Sequence, residues 1–283
     1  MDFCYSELFY IPNSPERVKN TFYKFCPLLQ LGMRITTNIS ASQLIRLPVL
    51  RVFCVCAVIL SAGCTAGNGC LEQKLQPSPV EKNMKRAGLV DVKTVDPDIM
   101  VDLRYSTESN FLGSDVYGAM DQCYLQPEVA RMLKKAHEIL RTRCPQCRLV
   151  VLDGARPRQV QQKMWNAVMG TEKEKYVADP SRGSNHNYGA AVDVTIARVF
   201  SGRLEDYELL DMGTEFDHMG PLAQPRYESR YAARGLLSAL QVRNRKLLRE
   251  VMEGAGFKSI LSEWWHFNAF SKDEIRRRYT IIE

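Results

Sequence analysis

Ser184-Asn-His-Asn-Tyr-Gly-Ala-Ala-Val-Asp193 is the stretch on which the reading of this chain turns, and Glu263-Trp-Trp-His266 answers it far downstream. Together they bring two imidazoles and two carboxylates to short, small-residue or aromatic ground. The chain has four histidines, so a pair in these two stretches is a concentration. A lone histidine in either place reads as a loop cap or an aromatic-core residue. The pairing with carboxylates reads differently. A catalytic zinc site needs three protein ligands, an open position for water, and a carboxylate to take that water's proton. His186, Asp193 and His266 are the candidate ligands of one zinc ion per chain, and Glu263 is the candidate base.

Local pattern places these groups. Gly189 and Ala190 let the backbone pass close to an ion or substrate, and the run from Ala191 to Ile196 reads as a strand. Ala191, Asp193 and Thr195 then share one face. Residues 257–267 contain the last strand. Glu263 and His266 are an odd number of residues apart, so a regular strand puts them on opposite faces. Glu263 is therefore expected at a bend or just before the strand proper.

Working outward, Arg148-Leu-Val-Val-Leu152 reads as a buried strand by its branched residues. It ends at Asp153-Gly-Ala-Arg156-Pro157, and Pro157 starts a helix carrying Val160, Met164, Trp165 and Val168. On the bare sequence Arg156 is as readily a surface ion pair as an oxyanion-binding group. Residues 101–105 alternate and read as a strand. Pro127 opens a helix whose core stripe is Val129, Met132, Leu133, Ala136, Ile139 and Leu140, with His137 off the stripe as a surface residue. Residues 201–203 read as a hairpin turn and 208–212 as its return strand. Residues 212–225 are loop-rich, with His218 an ordinary loop residue. A helix over 241–253 is stopped by Gly254, and 273–278 form a terminal helix.

These residues, in this order, resemble a family. Ser-x-His-x-x-Gly-x-Ala-x-Asp followed by Glu-x-Trp-His is similar to the zinc D-alanyl-D-alanine dipeptidases of the VanX type. The likeness covers about residues 101–267. Asp102-Leu-Arg-Tyr-Ser-Thr-Glu-Ser-Asn-Phe111 looks like that family's opening segment, Asp153-Gly-Ala-Arg-Pro157 like its arginine motif, and Met212-Gly-Thr-Glu-Phe-Asp217 like its substrate-amine motif. The resemblance implies hydrolysis of the free dipeptide D-Ala-D-Ala. It also implies that Arg156 stabilises the oxyanion, Asp217 binds the substrate ammonium, Ser184 assists in substrate binding, and Tyr105 lines the site. The expected fold is α+β: a central, mainly antiparallel sheet flanked by helices, with zinc on one sheet face.

Three rivals stand beside this reading. A zinc D,D-carboxypeptidase acting on peptidoglycan stem peptides would share the ligands but need an open groove. A zinc-dependent binding module without catalysis would have no use for Glu263 and Arg156. A thiol oxidoreductase built on Cys144-Pro-Gln-Cys147 would lack the flanking tryptophan of thioredoxin-like motifs.

The chain has 283 residues, 45% hydrophobic and 25% charged, enough for one sizeable core or two small ones. The net charge of +6 is dispersed, with no basic stripe, so no nucleic-acid partner is expected. Arg46 and Arg51 precede the apolar run 52–60, followed by Ser61-Ala-Gly-Cys64. That order reads as a secretory signal, and the run is short for a membrane span. Ser-Ala-Gly-Cys64 resembles a bacterial lipobox with Cys64 as the lipid-bearing residue; Ser61 stands where that pattern carries an aliphatic residue.

The expected division is an extension over 1–32, a lipoprotein-type signal over 33–64, a flexible Gly/Ser/Pro tether over 65–88 and the peptidase domain over 89–283. Met33 is a candidate start, and the extension is either a start-site artefact or real. The protein is expected at the periplasm or cell envelope, touching membrane through the lipid alone. Nine cysteines fit this division. Cys144 and Cys147 lack the second close pair that a four-thiolate zinc site needs, and read as a structural or free pair in a compartment that permits disulfides.

Overall fold

The computed structural model describes residues 78–283. The signal-like run, Cys64, Cys70 and the extension over 1–32 lie outside the described residues. The architecture is α+β, with a six-stranded mixed sheet, a two-stranded sheet and helices packed against them.

Regular structure is present before residue 89, where composition places the start of the domain. Residues 79–86, read as the end of a tether, form helix α1 (Pro79–Arg86). Ser78 and Glu81 make a reciprocal capping box and Pro79 takes the first helical position. Serine and proline here are helix-start signals, and Met84 is fully buried in the core.

After α1 come β1 (Val90–Asp91), the single turn α2 (Val92–Val95) and β2 (Met100–Val101). The strand expected over 101–105 stops at Val101. A 3-10 turn over Arg104–Ser106 follows and buries Tyr105. β3 (Tyr124–Leu125) pairs antiparallel with β1. Pro127 then opens α3 (Pro127–Arg143). Its buried face is wider than the stripe read from sequence. Ala130, Leu133, His137 and Leu140 are all buried at helical spacing, so His137 is a core residue. Its Nδ1 lies 2.8 Å from the Asp96 carboxylate, a partner 41 residues away in sequence. Burial lowers its pKa and favours the neutral ring.

A disulfide between Cys144 and Cys147 closes the turn into β4 (Cys147–Asp153), while Cys123 is buried and free. α4 (Arg158–Val168) follows Pro157. β5 (Ala191–Val199) is the central strand, and β6 (Tyr207–Leu209) returns beside its far end. α5 (Glu228–Ala233) and α6 (Ala239–Gly254) precede β7 (Lys258–Ser259), β8 (His266–Asn268) and α7 (Lys272–Arg278). α6 ends at Gly254, with Ala255 as its cap, and the left-handed glycine that follows is Gly256, φ +102°.

Strand order in the large sheet is β2-β4-β5-β8-β7, with β6 also on β5. β2 and β4 are parallel, and the other pairs are antiparallel. Val192, Val194 and Ile196 of β5 join Leu149 and Val151 of β4 in the main core, together with α3 and α6 side chains such as Leu133 and Leu248. Ala197, Val150 and Leu152 form a separate small cluster, and Asp193 shares their side of β5 by the two-residue period. Register puts Asp193 directly between Asp153 of β4 and His266 of β8. Three titratable side chains from three strands therefore stand in one row.

Candidate active site

His186 comes from the 3-10 turn Asn185–Tyr188, which Ser184 and Asn187 cap reciprocally. The turn ends at Gly189, φ +63°, where a side chain would be strained and would also press on Leu89. β5 starts immediately after, so His186 and Asp193 are held by one short, rigid piece of chain. β8 supplies His266. Glu263 falls in the irregular stretch just before β8, as the odd spacing required.

The ligand atoms converge. His186 Nε2 lies 3.1 Å from His266 Nδ1 and 3.4 Å from Asp193 Oδ1, and His266 Nδ1 lies 3.0 Å from Asp193 Oδ1. Ligands at about 2.0–2.2 Å from a tetrahedral ion are separated from one another by roughly 3.3–3.6 Å. The opposite ring nitrogens are already engaged. His186 Nδ1 is 2.8 Å from Gly154 O, and His266 Nε2 is 3.0 Å from Asn268 Oδ1. These outer partners fix which nitrogen of each ring faces inward. Among the described residues, these three are the group whose ligand atoms could hold one metal ion.

The electrostatics agree. Burial alone would raise the Asp193 carboxyl, yet the charge and hydrogen bonds of His186 and His266 hold it well below the usual carboxylate range. Burial opposes charge on His266, but the Asp193 hydrogen bond and charge push its pKa up to about 9. The meeting point of the three ligand atoms thus draws positive charge.

The same cavity, about 200 Å³, is lined by Tyr105, Arg156, Ser184, Asp217 and Glu263 as well as the three candidate ligands. Burial raises the pKa of Glu263, with His266 opposing. Arg156 is held from three sides. Its Nε donates to Asp153 Oδ2 at 3.1 Å and Nη2 bonds the same oxygen; Nη1 donates to Gln161 Oε1 at 2.9 Å, and the guanidinium lies over the Tyr105 ring. Tyr117 Oη donates to Asp153 Oδ1 at 2.6 Å. Asp153, Tyr117 and Gln161 were not singled out by sequence. The signal available was Asp153, three residues before Arg156; Tyr117 and Gln161 carried none.

Asp217 is the only non-glycine residue with positive φ among the described residues, at +62°. Its Oδ1 accepts from Tyr105 Oη at 2.9 Å, and its Oδ2 is buried without a partner. Burial and the Asp193 charge push its pKa well above the carboxylate range. A cationic donor at Oδ2 would relieve both. His218, read as an ordinary loop residue, also lines the cavity, and loop periodicity could not have shown it.

The sequence profile of peptidase family M15, D-ala-D-ala dipeptidase, matches residues 85–281. The chain belongs to this family. The M15 domain is 35% identical over 179 residues to the D-alanyl-D-alanine dipeptidase of Escherichia coli K12, covering 63% of this chain and 83% of that protein. It is 32% identical over 182 residues to the D-alanyl-D-alanine dipeptidase of Enterococcus faecium, covering 59% and 83%. The M15 assignment makes this chain a metal-dependent peptidase, with His186, Asp193 and His266 as the fitting donor set.

Gly154 carries a first expectation for this M15 site. An added Cβ there would collide with Cys123 Sγ and come within 3.2 Å of Tyr124 O. Gly154→Ala should therefore displace the carbonyl that orients His186. Loss of such an outer partner lowers metal affinity by about 10–100-fold, measurable by competition with a chromophoric chelator. Cys123→Ala in the same chain should recover part of the loss, and an unchanged affinity in Gly154→Ala would dissociate that carbonyl from the metal.

Proposed function

We propose that this chain is a zinc dipeptidase that hydrolyses D-Ala-D-Ala. The observation that carries the reading is Asp217, which lines the same small cavity as the candidate metal ligands and has a buried carboxylate oxygen, Oδ2, without a hydrogen-bond partner. A free dipeptide offers an ammonium beside its scissile bond; that group pairs with Asp217 Oδ2 while Tyr105 occupies Oδ1.

His186 Nε2, Asp193 Oδ1 and His266 Nδ1 would hold the zinc, a nitrogen- and oxygen-ligand set that suits a catalytic site with an open position. Zinc held by these residues would supply Lewis-acid chemistry, activating a water and polarising the peptide carbonyl. Glu263 accepts the water's proton and delivers it to the leaving amine; its burial raises its proton affinity, which suits that transfer. Arg156, oriented by Asp153 and Gln161, directs its guanidinium at the developing negative charge. Ser184 Oγ accepts from the His186 amide and keeps its proton to donate to substrate.

The carboxypeptidase reading fits less well, because an acylated stem peptide would set a carbonyl against the unpaired Asp217 oxygen. The purified protein should cleave D-Ala-D-Ala, leave L-Ala-L-Ala and an N-acetylated stem peptide intact, and lose activity to a chelator with zinc restoring it. Preferential cleavage of the stem peptide would reverse the assignment, and chelator-resistant turnover would remove the metal from it.

The reading extends to location. Export to the cell envelope, with Cys64 lipid-modified, is supported by the signal-like run and by the Cys144–Cys147 disulfide, which suits an oxidising compartment. Turnover of wall fragments suits such a location; glycopeptide resistance is the other role the activity permits. Mass spectrometry of the mature chain should find lipidated Cys64 at its N-terminus, and an unlipidated chain retaining Met33 would refute the anchor.

A further inference from the structure

Helix α6 faces the segment that carries Asp217. Arg245, on that helix, is 1% exposed. Its Nε donates to Met212 O at 2.6 Å and its Nη1 to Leu222 O at 3.1 Å. These carbonyls flank Asp217 in the chain, so a single guanidinium bonds the segment on both sides of it. Neighbouring α6 residues reinforce the near side: Asn244 donates to Asp211 O at 2.8 Å and Gln241 to Asp211 Oδ2 at 2.8 Å. Glu228 Oε1 lies 3.8 Å from Arg245 Nη1, and Arg249 donates to Glu228 Oε1 at 3.2 Å and to its Oε2 at 2.9 Å.

This is a costly way to pack a helix. A buried charge is retained only where its hydrogen bonds matter. Burial lowers the pKa of Arg245 to about 10, with Glu228 opposing, and leaves it charged at neutral pH. A planar fork reaches the two carbonyls from separate atoms, Nε and Nη1, whereas an ammonium presents all its donors from a single nitrogen. Between the bridged carbonyls lies Asp217 at φ +62°, a left-handed conformation uncommon outside glycine and reached more readily by aspartate and asparagine than by other side chains.

We propose that Arg245 is a positioning residue for substrate selection: by clamping the chain on both sides of Asp217, it fixes the left-handed turn that aims the free carboxylate oxygen at the substrate amine. This rests on the reading of Asp217 as the amine-binding group.

The test uses the full chain and four proteins: wild type, Arg245→Lys, Asp217→Asn and the double variant. Kinetics are measured on D-Ala-D-Ala and its N-acetyl derivative, with metal content and Tm recorded for each. Arg245→Lys keeps the charge but presents its donors from a single nitrogen. It should bind metal normally, raise KM for D-Ala-D-Ala about tenfold with kcat within about threefold, and narrow the preference for the free amine about tenfold, the scale of one lost charged hydrogen bond. In the Asp217→Asn background the same substitution should leave the preference unchanged, because coupled residues are not additive.

A preference untouched by Arg245→Lys, or narrowed equally in both backgrounds, overturns the inference while leaving the amine reading intact. An Asp217→Asn protein with wild-type preference overturns the amine reading and the inference with it. Should Arg245→Lys not fold, Asn244→Ala replaces it. A smaller narrowing in the same direction, absent in the Asp217→Asn background, supports the clamp, and none refutes it.

Discussion

Glu263→Ala is expected to retain metal as the wild type does and to lose about 10²–10⁴-fold in kcat on D-Ala-D-Ala, the usual contribution of a positioned general base. The two halves of this expectation come from different parts of the structure. Metal retention follows because the three converging donor atoms belong to His186, Asp193 and His266, and the outer partners Gly154 O and Asn268 Oδ1 are untouched. Loss of turnover follows because, beyond the candidate ligands, the cavity's carboxylates are Glu263 and Asp217, and Asp217 is already bonded to Tyr105. Glu263 sits in irregular chain before β8, so alanine disturbs no strand pairing. His266→Ala should behave differently and lose both metal and activity. Metal analysis beside steady-state kinetics separates the two variants. A Glu263→Ala protein with near-normal kcat would remove Glu263 from the chemistry.

Asp217→Asn should lower kcat/KM on D-Ala-D-Ala by about 10–150-fold, the equivalent of the 1.5–3 kcal/mol carried by a charge-assisted hydrogen bond. Asparagine is the informative replacement. It is nearly the same shape and tolerates the left-handed conformation found at φ +62°, so the loop survives while the charge goes. Alanine would confound lost charge with backbone strain. The N-acetylated dipeptide has no ammonium to lose, and its kcat/KM should change little. The preference between the two substrates therefore narrows. Equal loss on both would make Asp217 a support of the loop and would favour the carboxypeptidase reading.

What could be read from sequence, and what could not, divides by distance along the chain. His186 and Asp193 were legible because a turn and a strand hold them within a few residues. Glu263 was placed correctly because strand parity forbids it from sharing a face with His266. Asp153 was visible in the motif, but its hold on Arg156 was not, since Tyr117 and Gln161 come from separate segments. His137 was misplaced because its burial depends on Asp96, which no helical pattern reveals. Helix α1 was read as tether because Ser78 and Pro79 belong equally to linkers and to helix caps. Arg245 is one of several basic residues on α6, and nothing in that run distinguishes the one that turns inward to two distant carbonyls.

The row formed by Asp153, Asp193 and His266 has a consequence for the order in which the molecule is made. Its third member arrives on β8, well after the strands that carry the other two. A nascent chain that has emerged only as far as β7 already contains His186 and Asp193, yet its central strand still lacks one neighbour and the third donor is missing. Capture of the ion by all three residues therefore waits until β8 has been made, and a bound ion held by the full set certifies that this strand has docked.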